Sequence, residues 1–136
     1  MAEYWAGLAG GAVPHRGLLD VTAIPHLLAN LLLVEQVEEG YLIRVAGQAF
    51  QWKERQLTGR LVGPDHFGPA HAELTAMYAT ILAGRGPVWF RGLANWKSTP
   101  APMPFTQVMA PMLAPDGTPR FLLGAVVLDM HRFRSP

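Results

Sequence analysis

The sequence contains no cysteine. Disulfides, thiolate nucleophiles, zinc–cysteine sites and iron–sulfur clusters are therefore excluded, and the cytoplasm is the expected compartment. Serine is nearly as scarce. Ser98 lies in a loop-forming stretch and Ser135 one residue from the end, and neither sits in the strand–turn–helix elbow of a serine hydrolase. Charged residues make up 15% of the chain, against a usual ~25%, which argues against disorder. Lys plus Arg total 11 and Asp plus Glu 10, a formal charge of +1 with no run of one sign. Nothing here attracts a polyanion, so nucleic acid is not an expected partner. Long apolar runs are missing too. Leu31 to Val34 and Ala125 to Leu128 are the longest, far below the ~20 residues of a membrane span. Glu3 stands where a signal peptide carries Lys or Arg. A soluble protein without membrane insertion is expected.

What is present is apolar: 50% of the 136 residues are hydrophobic, enough for one compact domain. Met1 to Val13 reads as a short helix weakened by Gly7, Gly10 and Gly11. Thr22 is the expected N-cap of a second short helix reaching Ala29, with Pro25 in its first turn. Asn30 to Val37, the turn Glu38-Glu39-Gly40 and Tyr41 to Ala46 read as a β-hairpin. Gln48 to Arg55 has room for a helical turn or two. A longer helix opens at Gly68-Pro69 and closes at Gly84, with Ala70, Leu74, Met77, Tyr78 and Ile81 on one face. Val88 to Trp96, Phe105 to Leu113 and Arg120 to Met130 are strand candidates, the last two joined at Pro115-Asp116-Gly117. Pro100 to Pro104 reads as a stiff connector. This order predicts an α+β fold with a mainly antiparallel sheet and its helices packed on one face.

Several local words stand in this order. They are Val13-Pro14-His15-Arg16, Asp20, Ile24-Pro25, Leu31-Leu32-Leu33 and Tyr41 to Gly47. The most specific is Leu57-Thr58-Gly59-Arg60, followed by Ala110-Pro111-Met112, Asp116-Gly117 and Leu123-Gly124-Ala125. Together they resemble the PAS domains, and more narrowly the small stand-alone bacterial PAS proteins, over nearly the whole chain, with two departures. Members usually carry an Asp just before the Leu-Thr-Gly word and a Gly two places earlier, where this chain has Gln56 and Glu54. The resemblance implies a five-stranded antiparallel sheet, with residues 30–131 as the core and 1–29 as an N-terminal extension of a single domain over 1–136. An interior position for Phe105 to Leu113 conflicts with Pro111, which has no N–H for a ladder, so a bulge or strand end is expected there.

Chemistry-bearing clusters are few. The five histidines, His15, His26, His66, His71 and His131, show no helical chelating pair. His66 and His71, with Asp65 adjacent, make a two- or three-ligand metal set at best, and His71 with Asp65 would serve a small α+β isomerase or hydrolase, the lesser alternative; no enzyme is expected. His71 on the long helix is the one position suited to holding haem iron, by resemblance to haem-binding PAS sensors. Flavin chemistry through a cysteinyl adduct is excluded by the missing thiol. Large rings with polar tips and flexible thioethers suit an adaptable apolar pocket. Its candidate lining is Trp52, His71, Met77, Tyr78, Trp89, Gln107 and Met109. Arg44 interrupts an apolar strand and is expected to face solvent or pair with Glu35 across the hairpin. The resulting expectation is a sensory or signalling module. It would act through a protein partner or a second copy of itself, with Tyr4, Trp5 and Leu8 as contact candidates and a small apolar ligand as modulator. A haem- or flavin-type sensor is the alternative.

Overall fold

The structure, a computed structural model, describes residues 1–47, 57–64, 71–94 and 103–128. Helix α1 (Ala2–Leu8) and three short 3₁₀ segments (Arg16–Leu18, Val21–Ala23, Pro25–Asn30) lead into the hairpin β1 (Leu31–Val37) and β2 (Gly40–Ala46). Helix α2 (His71–Ala83) follows, then β3 (Val88–Ala94), β4 (Met103–Leu113) and β5 (Pro119–Leu128). The five strands form one sheet in the order β2-β1-β5-β4-β3, with every neighbouring pair antiparallel. The first and last strands are neighbours, Leu31 opposite Ala125 and Glu35 opposite Phe121. This is the five-stranded antiparallel α+β arrangement expected.

Why Leu31 to Val34 is uninterruptedly apolar is now plain. Alternate residues of a strand face opposite sides, and β1 is covered on both. Leu32 and Val34 pack with Tyr41, Ile43, Tyr78, Ile81 and Leu122 beneath α2. Leu31 and Leu33 pack with Trp5, Ile24, Met112 and Leu123 on the other side. The expectation of helices on one face thus holds for α2, while the N-terminal segment lies on the opposite face.

Four local expectations are corrected. Asp20, not Thr22, caps the first 3₁₀ segment after it, accepting from the Thr22 N–H at 3.0 Å; the carboxylate reaches the free N–H from outside, where the Thr22 hydroxyl instead bonds back to Asp20. What reads as one helix to Ala29 is two 3₁₀ pieces split at Ile24. Pro111 does not end β4: the register shift comes one residue later, between Met112 and Leu113. The proline is tolerated because β3 pairs only as far as Met109. Beyond that point β4 has an open margin, and Pro111 directs its nitrogen and carbonyl there, since Trp5 Nε1 donates to Pro111 O at 2.7 Å. Leu113 N–H, on the same margin, donates to Pro14 O at 2.8 Å. Met103 and Pro104, read as connector, already belong to β4. The Gln48 to Arg55 turn and the Gly68-Pro69 helix start lie outside the described residues.

Candidate functional site

The face of the sheet beneath α2 gathers most of the residues that the sequence marks as pocket lining. Tyr78, Ile81 and Leu82 project from α2 and are buried, and Leu74 and Met77 are half-buried against the same cluster. The Tyr78 ring meets Tyr41 of β2 edge to face, centroids 5.3 Å apart. Burial pushes the Tyr78 phenol above its ordinary range, and the neighbouring Tyr41 adds to the shift. Its hydroxyl is thus a neutral donor across physiological pH.

From β4 come Phe105, Gln107 and Met109, every second residue. Met109 is fully buried and opposite Gly124 of β5. A Cβ at Gly124 would stand 3.1 Å from the Met109 side chain and 3.3 Å from Gln107 Nε2, so both side chains lie across that glycine. Gln107 is only 3% exposed, the single polar residue among the buried ones described. Its amide thus stands as a polar group in an otherwise apolar wall. A side-chain amide carries both donors and an acceptor, so it is suited to a ligand's polar edge.

The remaining predicted positions are distributed differently. His71 is half-buried in the first described turn of α2. Among the described residues no group of three His, Asp or Glu side chains is placed to hold a metal ion. Trp52, Asp65 and His66 lie outside the described residues. Trp89 is a correction: it is 64% exposed and paired with Val108, on the face away from α2. Its neighbour Phe90 takes the inward place opposite Gln107 and packs against Phe105, centroids 6.1 Å apart. With Trp, Phe and Val adjacent, hydrophobicity alone does not phase this strand. Gly124 was also missed as lining, though it sits in one of the family words.

The N-terminal contact candidates are likewise corrected. Trp5 is 2% exposed with its indole N–H bonded to β4. The Tyr4 hydroxyl accepts from Asp20 N–H at 2.8 Å and reaches Asp20 O at 3.1 Å. Leu8 packs against the same cluster as Trp5. The apolar side of this helix is occupied within the chain. Arg44 behaves as expected: its Nε donates to Glu35 Oε1 at 2.7 Å.

A family model of the PAS domain matches residues 1–127. No curated protein matches the chain. Solved structures of similar shape include a light-oxygen-voltage domain described with a flavin analogue, at 16% identity and TM-score 0.56, covering 83% of this chain and 86% of that one. A fungal LOV domain photoreceptor follows at 18% identity and TM-score 0.54, covering 84% and 94%. The light state of the Aureochrome1 LOV domain is similar at 13% and TM-score 0.53, covering 83% and 91%. These likenesses concern the fold. With the family model spanning all five strands and both described helices, the chain belongs to the PAS domain family.

Proposed function

We propose that this chain is a sensory module, a single domain over residues 1–136, that signals by contact with a protein partner or a second copy. A small, mostly apolar ligand held between α2 and the sheet changes that contact. Gln107 carries the reading: a deeply buried amide on the face turned to α2, the one polar side chain among the buried described residues. Tyr78, Met77 and Met109 supply the apolar surroundings, and methionine side chains adapt to ligands of different outline. Ligand and partner would be linked through the differential affinity of the ligand for two arrangements of the domain. No reaction is assigned to it.

The test is native mass spectrometry with an absorption spectrum of protein purified without denaturant. A non-covalent added mass is expected, reduced in Gln107→Leu. Unliganded protein throughout, with no partner or self-association at micromolar concentration, overturns the proposal. A flavin version draws on the likeness to light-oxygen-voltage domains. With Cys at 0, this chain offers no thiol to a flavin ring, so a bound flavin would act without a cysteinyl bond. A flavin band in that spectrum supports this version, and a Soret band would instead place His71 on haem iron.

A further inference from the structure

On the face of the sheet away from α2, two clefts adjoin where the Arg16–Leu18 turn leans over the hairpin. The first, about 270 Å³, has Leu31, Leu33, Val45 and Leu123 along its floor and Arg16 and Asp20 at its rim. The second, about 520 Å³, shares Arg16 and Val45 and adds Glu35, Arg44 and Phe121. A β-bulge makes the junction. Leu33 pairs with Val45 but Val34 with Ile43, so Arg44 is an extra residue on β2. Strict alternation would have sent Val45 beneath α2 with Tyr41 and Ile43; the bulge instead puts Arg44 and Val45 on the cleft side together. Val45 is 43% exposed as a result.

The charges around this junction are unequal. Arg44 is tied to Glu35 at 2.7 Å. Asp20 is engaged by Thr22 N–H and hydroxyl. The Arg16 guanidinium lies over the Phe121 ring, 6.0 Å from its centroid, and among the described residues it has no carboxylate within ion-pair distance. Its backbone is fixed by Leu19 N–H donating to Arg16 O at 3.1 Å and by Leu113 N–H on Pro14 O. The site therefore presents Leu19, Val21 and Val45 above the buried Leu31, Leu33 and Leu123, beside one cation with no carboxylate within ion-pair distance among the described residues. Asp20 and Glu35 on the same walls oppose a second negative charge, which disfavours phosphate and dicarboxylates.

From this we infer a binding site for monocarboxylates with an apolar body: the chain lies against Val45, Val21 and Leu19, and the carboxylate accepts from Arg16 in a charge-assisted pair. The site is separate from the Gln107 face and stands or falls independently of it. The occupant is a free organic acid, the size of molecule that a cleft of about 270 Å³ takes.

The test is a ¹⁵N-resolved titration of the full chain with hexanoate, with 1-hexanol, and with the capped peptide acetyl-Ala-Leu-Glu-Leu-Ala-amide. Saturable shifts at the Leu19, Val45 and Phe121 amides are expected with hexanoate, and binding about tenfold weaker with hexanol. Arg16→Gln should erase that tenfold difference and Arg16→Lys keep part of it, while Gln107→Leu leaves hexanoate binding unchanged. Weaker binding of the peptide than of hexanoate upholds the free acid, and tighter binding of the peptide overturns it in favour of a polypeptide. Absence of saturable shifts, equal binding of hexanol, or shifts centred on Gln107 and Met109 overturns it. Spectra of the Arg16 variants free of ligand report whether they fold, and Arg16→Lys retains the charge where Arg16→Gln removes it.

Discussion

On one side of the sheet the core is closed, among the described residues, by helix α2, whose buried residues are Tyr78, Ile81 and Leu82. On the other it is closed by residues 1–30, where the only α-helix is seven residues long and the rest is 3₁₀ segments and loop. The first side is held by packing of rings and aliphatic chains. The second depends on directed bonds: Trp5 to Pro111, Leu113 to Pro14, and Tyr4 to both backbone groups of Asp20. A helix of seven residues has little stability of its own, so it must be fastened where a long amphipathic helix needs only to be laid down. The lesson is that the N-terminal segment is part of the core and not an appendage to it.

The sharpest challenge to that conclusion is truncation of one anchor on each side. Trp5→Ala and Tyr78→Ala should each lower the unfolding free energy by about 3–5 kcal/mol, read from urea titrations with unchanged slope. A loss below about 1 kcal/mol for Trp5→Ala alone would make the second side a loose cover. Next in size is Gly47→Ala. A Cβ there meets the backbone carbonyls of Leu28 and Ala29, which cannot rotate away as a side chain can. A cost of about 2–3 kcal/mol is expected, because Gly47 also donates its N–H to Leu31 O.

A pH series separates the sides without mutation. Burial raises the pKa of both Tyr41 and Tyr78, which belong to the α2 side. A group whose folded pKa is raised contributes fully below its unfolded value and loses that contribution as pH climbs. Stability should therefore start to fall near pH 10, by at most about 1.4 kcal/mol per pH unit and per group. Tyr78→Phe should flatten that fall, and a fall of unchanged steepness would show that the ring does not titrate on unfolding. The smallest effect belongs to Arg44 and Glu35. Their coupling in a double-mutant cycle should not exceed about 1 kcal/mol and should shrink with added salt, since Arg44 is half exposed.

Much of this architecture was legible in the residues themselves. Glu38-Glu39-Gly40 between two β-rich runs marked the hairpin, and the observed strands meet it within a residue. The Arg44–Glu35 pair followed from their facing places across it. Phase was harder. The bulge beside Arg44 follows from how the whole sheet packs, so nothing local revealed that Val45 would turn out and Ala46 in. Trp89 and Phe90 are equally hydrophobic, and only pairing with β4 decides which one faces α2. Trp5 read as an exposed anchor because its partner, Pro111 O, is 106 positions away. Gln107 was singled out for its amide, but the room it occupies is given by Gly124 on a neighbouring strand.

Pro111 repays one more look. A strand whose free margin is clasped by an indole and by a loop carbonyl has lost the freedom to slide. Displacement by one position would exchange Met109 and Ala110, driving a thioether toward Trp5 and leaving a void under Tyr78. The missing N–H of a proline, a fault elsewhere in a sheet, therefore marks where β4 is bolted in place, and whatever moves the first thirty residues pulls on that bolt.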